Sequence, residues 1–514
     1  MKKLKELITD VSPMKLKSVQ ILGREDNLTD QLYNIICSGE IKNDEEAMQI
    51  LYGNSSSKTA YYQVKKKLYS RLVDSLFLID LSQKKINSYI VAKNYLAKYS
   101  GAFEIIRARG AYENQLYLGD KLIKLAVKYN LYQYVIRLTP RMWQLSALIK
   151  SDENALEYYH ELYIKYRAVE SIENLANFYW HRVVYHTSKK RMIINVKLTM
   201  EIETYIKEIE TKILAEHTCI TFLNLSLLKL RILEMQNDHE AIIIMVDDIL
   251  PQLDNYVDVM PNFYHIILSR KITSLITLRR YADARKSTVL DASYLREGNK
   301  TWYTLRENII VLNFYEEHYK EAYEVYFDTI NNESFKLLRE SKQEIFKVYR
   351  AYFQFFENVG LLEIPKDKVE KLPFRYAKFI NDVPIYENDK VGIKITIVVA
   401  QFLLLFSEEK YLDAIDKIES VRQYSRAYLR KDATYRSSCF LKMLIKLVEC
   451  NYHKASTIRK TKTLYAKLKN HPMDVQRQTS HVEIVPFENL WEIILGSIDN
   501  SFRGRFKNEK RRSK

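Results

Sequence analysis

Glycine and proline are scarce: 11 and 9 residues in a chain of 514. Ordinary usage of the two together is about 12%, several times more. Sandwiches, barrels and doubly wound sheets need many tight turns built from these residues. The shortage excludes them and leaves long helices joined by short polar turns. Cysteine is also scarce. Cys37, Cys219, Cys439 and Cys450 form no CxxC pair. That excludes a dense disulfide framework and a zinc ribbon, and reads as buried thiols in a reducing, cytoplasmic setting. Long apolar runs are missing. The most apolar stretch, Ile395 to Phe406 (ITIVVAQFLLLF), contains Thr396 and Gln401. A membrane span needs roughly twenty apolar residues, so a core helix of a soluble protein is expected. The first residues, MKKLKELITDVSPMKLK, lack the apolar segment of a signal peptide.

Catalytic and cofactor motifs are missing as well. There is no GxxxxGK[ST], no GxGxxG and no GxSxG. His160-Glu161 and His239-Glu240 lack the second histidine of a zinc-protease helix. His181 and His186 are five apart, poorly placed to share a helix face. No metal, cofactor or enzymatic activity is expected.

What is present is apolar and basic. Apolar residues make up 47% of the chain, enough for a large core. Lys+Arg exceed Asp+Glu by 80 to 64, a net +16. Residues Arg503 to Lys514 hold seven bases and one acid, so the rest of the chain carries +10. A basic body with a basic tail suits nucleic acid, anionic lipid or an acidic protein, or simply a solvated terminus. Tyrosine is abundant, with 39 residues. A large ring with a polar tip suits half-buried grooves between stacked helices.

The chain divides into five stretches. Residues 1–81 read as a small helical domain. Its helices are expected at about Thr29 to Cys37, from Asp44 to Gly53, and from Lys58 to Leu81. Residues 82–359 read as helix after helix. Residues 360–392 hold Gly360, Pro365, Pro373, Pro384 and Gly392 and read as an irregular connection. Residues 393–500 return to helices, closed by a final helix at 486–498 whose Trp491 and Ile494 cover the end of the array. Residues 501–514 read as a disordered basic tail.

A repeat runs through this pattern. An aromatic-x-x-Ala element recurs at helix–helix turns: Tyr281 to Ala284, Tyr319 to Ala322, Tyr411 to Ala414 and Tyr452 to Ala455. A degenerate copy lies at Asp238 to Ala241. The spacings are 43, 38, 92 and 41, so one copy is expected to be hidden within the 92. The small alanine lets the second helix approach the first, and the tyrosine fills the turn. These residues, best seen from Ser274 to Ile330, resemble the tetratricopeptide-repeat (TPR) family. The period is about 40 rather than 34. The tryptophan and glycine of the first helix are mostly absent, and the closing proline is missing. The layout also resembles uncharacterised bacterial helical-repeat proteins. The resemblance implies an all-α, TPR-like solenoid of stacked hairpins and a role in protein interaction; it carries over no catalytic residues.

Two stretches point to partners. Asp44 to Leu72 has the outline of a helix-turn-helix, with Ala47 at the crossing and Val64, Leu68 and Leu72 facing inward. Lys58, Thr59, Tyr62, Gln63 and Lys66 would then face DNA, the lysines on phosphates and Gln63 on a base edge. A capping helical bundle with a basic second helix has the same outline. In the second stretch, Arg422, Arg426 and Arg430 fall on one helical ridge. Tyr424 and Tyr428 lie beside it, and Lys431 and Arg436 follow. Arginine forks match carboxylate or phosphate in two-point contacts. The ridge suits an acidic peptide, a phosphorylated segment or nucleic acid. The alternative is internal pairing with acids such as Asp389. The reading is a non-enzymatic scaffold that grips a protein or peptide. The alternative is a DNA-binding regulator with a repeat-based sensor. No oligomeric state is indicated.

Overall fold

The computed structural model describes residues 4, 27–38, 41, 43–53, 58–77, 87–189, 196–365, 374, 376–381, 391–411, 413–414, 435–471 and 483–498. Among the described residues, the first helices are α1 (Asn27–Ser38), α2 (Asp44–Tyr52) and α3 (Lys58–Leu76). The Asn43 side chain caps α2, accepting from the Glu46 N–H at 2.8 Å. Asp44, Glu45 and Glu46 fill the first turn, where negative charge suits the helix dipole. Gly53 ends the helix at φ 59°. Leu32 and Ile36 of α1, Ala47 of α2, and Tyr61, Leu68 and Leu72 of α3 form a core of their own. Val64, expected to face inward, sits at its edge. The helix α3 stops five residues short of the expected Leu81.

The array that follows is helical throughout, with no strand among the described residues. Its elements are α4 (Ser88–Ala108), α5 (Tyr112–Lys128), α6 (Tyr132–Leu145), α7 (Glu153–Lys189), α8 (Val196–Lys212), α9 (Cys219–Gln236) and α10 (His239–Leu253). They continue as α11 (Pro261–Thr277), α12 (Tyr281–Tyr294), α13 (Lys300–Tyr315), α14 (Tyr319–Asn331) and α15 (Glu340–Asn358). The last are α16 (Tyr376–Asn381), α17 (Val391–Ser407), α18 (Tyr435–Glu449), α19 (Lys454–Asn470) and α20 (Phe487–Gly496). Successive helices pack as hairpins, and α7 with α9, α11 with α13, and α15 with α17 also meet. Contact with the next helix and with the next but one is the pattern of a solenoid.

One turn is used again and again. Gly110, Asn130, Asn237, Arg279, Glu317, Gly360, Glu409 and Asn451 all adopt positive φ, between 49° and 77°. Each sits just past a helix end, and the backbone closes in the same way. Arg280 N–H donates to Leu275 C=O at 2.8 Å, and Arg279 N–H to Ile276 C=O at 3.0 Å. His318 and Glu317 repeat these bonds to Asn313 and Phe314. This is the Schellman closure, which normally recruits glycine. Only two of the eight are glycine. The chain therefore forms left-handed turns with Asn, Arg and Glu, each at a cost of roughly 1–2 kcal/mol for a side-chain-bearing residue. That is how so glycine-poor a sequence folds into so many hairpins.

Two residues beyond the left-handed position, a ring or apolar side chain packs the turn. These include Tyr132, His239, Tyr319, Leu362 and Tyr411, all buried. Three residues further on, Ala284, Ala322 and Ala414 are fully buried where the second helix approaches the first. Gly360 and Leu362 supply the hidden copy, dividing the spacing from Glu317 to Glu409 into 43 and 49. Residues 361–365 have no regular structure, and the next described helix is the short α16.

The inner helices carry the core. Apart from terminal residues, α9, α11 and α13 expose no side chain. Phe314 is an aromatic hub, 5.1 Å from Phe353 and 5.6 Å from Phe356, while Tyr319 stacks on Phe356 at 4.1 Å. Tyr303, Tyr326, Tyr349 and Tyr352 are fully buried, so much of the tyrosine is packing material. The apolar run at 395–406 lies in α17, and most of its residues are buried against α15 and its neighbours. No described helix is long and apolar enough to cross a membrane. Trp491 and Ile494 of α20 are buried in the same core, and Phe487 stacks on Phe440 at 4.4 Å.

Candidate interaction site

Arg436 does not stand on an exposed ridge. It is 3% exposed at the start of α18. All five of its N–H groups find acceptors. Nε and Nη2 hold the two oxygens of Glu483 at 3.0 and 2.7 Å, and Nη2 also reaches Glu488 at 2.5 Å. Nη1 donates to the carbonyls of Leu468 and His471 at 2.7 and 2.9 Å. Burial opposes the charge on Arg436, but the two carboxylates outweigh it and hold its pKa above the ordinary value. The expected partner contact is thus an internal staple. Its acids come from the C-terminal segment, not from neighbouring repeats. The same segment reaches further back. The Tyr315 hydroxyl donates to Glu483 C=O at 2.8 Å, Asn489 donates to Glu317 at 2.8 Å, and Arg279 meets Glu488 at 2.6 Å. Arg422, Tyr424, Arg426, Tyr428, Arg430, Lys431 and the proposed acid Asp389 lie outside the described residues.

On α3, Lys58, Thr59, Tyr62, Gln63 and Lys66 are all exposed, whereas Tyr61, Leu68 and Leu72 are buried; Lys58, three residues before Tyr61, flanks the buried face. The start of α2 is tied to this helix. Asp44 accepts from the Tyr61 hydroxyl at 2.7 Å and from Lys65 at 2.7 and 2.9 Å. Partial burial pushes the Asp44 carboxyl up, but Lys65 and Tyr61 prevail and hold its pKa below the ordinary value. The main packing partner of α3 is α1 rather than α2.

Sequence reading missed a second surface, on α4, α5 and α7. Residues 88–150 hold ten bases and three acids, a net +7, whereas residues 239–331 hold ten bases and fourteen acids, a net −4. Positive charge is thus dense early in the array, and again at residues 435–471, which hold nine bases and one acid. Within it, lysines alternate with tyrosine rings. On α4, Tyr95 and Tyr99 lie 4.2 Å apart, and Lys98 sits 5.6 Å from the Tyr99 ring. From α5, Lys121 sits 5.6 Å from the Tyr95 ring. Hydrogen bonding to Tyr95, with smaller contributions from Tyr117 and Tyr99, raises the Lys121 pKa. Next along α5, Lys124 pairs with Asp120 at 2.6 Å, and Asp120 in turn accepts from Tyr159 of α7 at 3.4 Å. Tyr158 beside it is 47% exposed, and Tyr117 is 73% exposed. The charge bias was countable in the sequence; bringing Lys98, Lys121 and Tyr158 onto one surface required the fold.

The long helix α7 carries an apolar stripe. Ile164, Phe178 and Tyr185 are exposed at intervals of fourteen and seven residues, close to one helical face.

Buried ionisable groups elsewhere serve packing. Asp258 accepts from the Cys219 N–H at 3.0 Å and from Asn130 at 3.2 Å, so it caps the start of α9. Burial raises its pKa against those two bonds. Glu173 beside it accepts from Thr218 and is likewise raised by burial. The Cys219 thiol is pushed up by burial and by Asp258, which keeps it protonated and unreactive. His265 pairs with Asp291 at 2.8 Å inside the core. Among the described residues, no group of three or more His, Cys, Asp or Glu side chains is arranged to hold a metal ion. No family model, curated protein or solved structure matches the chain.

Proposed function

We propose that the chain is a non-enzymatic interaction scaffold, a TPR-like helical array that grips a protein partner in the cytoplasm. The observation that carries this reading is the outward stripe of α7. Ile164, Phe178 and Tyr185 stay exposed on a helix whose opposite face is buried. Large apolar and aromatic side chains left in water on a rigid helix suit an amphipathic partner helix. The repeat pattern that resembles the TPR family supports the same role. The test is a pull-down from the native cell with the full chain and with an Ile164→Asp, Phe178→Asp variant. A stoichiometric, nuclease-resistant protein captured by the first and lost by the second supports the scaffold. Equal capture by a folded variant removes α7 from the contact.

A second reading rests on α3. Its five candidate contacts are all exposed, as a DNA-reading helix requires. Here Lys58→Ala with Lys66→Ala should weaken DNA binding and flatten its salt dependence. An unchanged salt slope would put any DNA contact elsewhere.

A further inference from the structure

We propose that the surface formed by Lys98, Tyr95, Lys121, Tyr117, Lys124 and Tyr158 binds single-stranded nucleic acid. This goes beyond the scaffold reading and stands or falls apart from it. The surface crosses three helices, α4, α5 and α7. The helix α4 packs on α5, and α7 meets α5 through the Tyr159–Asp120 hydrogen bond. Along it, ammonium groups and rings alternate: Lys98 by Tyr99, Tyr99 by Tyr95, Tyr95 under Lys121. Lys124 follows, held to Asp120.

Two features select this ligand. The first is charge. Lysine is a compact point charge that suits phosphate at a regular interval, and residues 88–150 carry net +7. The second is the rings. Tyr117 is 73% exposed and Tyr158 47% exposed, so their faces lie open beside the lysines. Unpaired bases stack on open aromatic faces, whatever their sequence. Carboxylates of an acidic peptide gain nothing from a flat tyrosine face. A duplex hides its bases from such a platform. Cationic groups interleaved with rings therefore fit a single strand better than either.

The test is fluorescence anisotropy on the full chain with a labelled oligothymidylate of about 12 nucleotides, within the range one such surface covers. Three variants are compared: Lys98→Ala/Lys121→Ala/Lys124→Ala, Tyr117→Ala/Tyr158→Ala, and Tyr117→Phe/Tyr158→Phe. Lys124 pairs with Asp120, Lys121 contacts the Tyr95 ring and Tyr158 packs edge-on against Tyr159, so circular dichroism checks the folding of each variant. Binding is expected at low salt. The lysine variant should weaken it at least about 10-fold and lower the log–log salt slope by about 2, since each single-strand phosphate contact contributes roughly 0.7. The alanine pair should weaken binding about 10-fold or more, and the phenylalanine pair should restore it, because stacking needs the ring and not the hydroxyl.

Four results would overturn the proposal. One is no binding at low salt. Another is binding whose salt slope the lysine variant leaves unchanged, which would place the contact in the basic tail or on α3. A third is a poly-glutamate peptide that binds as tightly and with the same dependence on the lysines, which would mean an acidic protein partner. The fourth is self-association at low salt that the lysine variant abolishes. That would mean the surface meets the acidic stretch 239–331 of a second copy.

Discussion

Arg279 and Glu488 lie 209 positions apart in the chain and 2.6 Å apart in space. The carboxylate they share with Arg436 belongs to the C-terminal segment, which thereby joins the turn after α11 to the start of α18. The two arginines hold the same acid in very different surroundings: Arg279 is 61% exposed, Arg436 3%.

That contrast sets unequal effects. Arg436→Ala leaves Glu483 and Glu488 buried beside an empty site, and breaking a buried pair in this way costs about 3–5 kcal/mol. Arg279→Ala removes a half-solvated contact and should cost about 1 kcal/mol or less. Urea denaturation of both variants checks this. Equal, small effects would mean that the C-terminal segment contributes little to the array.

Gly119 on α5 sits where α4 and α6 close in. A Cβ there would lie 2.3 Å from Met142 Sδ and 2.9 Å from Phe103 Cε2. Both neighbours are fully buried. Gly119→Ala should therefore destabilise by about 1–3 kcal/mol, despite the better helix propensity of alanine. A rise in melting temperature would show that the α4–α5–α6 contact is looser than the structure has it.

Asn237 holds the left-handed turn between α9 and α10, at φ 61°, and its side-chain carbonyl is buried without a hydrogen bond. Asn237→Gly should stabilise slightly, and Asn237→Ala should destabilise by about 1 kcal/mol. The same order of melting temperatures would be expected at any turn of the series that lacks a tertiary contact. Alanine equal to glycine would mean that the left-handed turn is not obligatory.

His239 is buried, with Nδ1 3.2 Å from Ser274 Oγ and Nε2 without a partner. Burial depresses its pKa below 6.5, against the pull of Asp238 and Glu234. The folded protein therefore refuses a proton that the unfolded chain accepts. Its contribution to stability is full above pH 6.5 and is lost as pH falls below that value. Glu173 and Asp258, both raised by burial, act in the opposite sense, so the variant must be compared with the parent chain. His239→Gln should make the fall in unfolding free energy between about pH 7.5 and 5.5 shallower. An unchanged slope would assign the acid sensitivity to other groups.

The hairpin register was legible at three of the four full copies because it is local; at the fourth, Tyr452 directly follows the left-handed Asn451 and Ala455 is exposed. Tyr281, Tyr319 and Tyr411 each stand two residues past a left-handed turn and three before a buried alanine. The copy at Gly360 escaped notice because Leu362 replaces the tyrosine and no second helix follows directly. The turns at Gly110 and Asn130 escaped for a similar reason: Gln115 and Val135 stand where alanine does elsewhere. Position along one helix was also readable, so the outward set on α3 lies where the spacing put it. Long-range pairing was not. Nothing around Arg436 announces that acids 47 and 52 positions later will bury it. Nor does the spacing of Lys98, Lys121 and Tyr158 reveal a shared surface, because three separate helices supply it.

The C-terminal segment also limits how this chain can evolve. Solenoids ordinarily lengthen or shorten by gaining or losing a hairpin, since each unit touches only its neighbours. Here Glu483, Glu488 and Asn489 measure a fixed distance from Arg279 through Glu317 to Arg436. A hairpin duplicated between Arg279 and Arg436 would carry Arg279 out of reach of Glu488 and leave that carboxylate to Arg436 alone. The units before α11 are tied in the same way, because Asn87 donates to the Val259 carbonyl 172 positions later and Asn130 to Asp258 128 positions later.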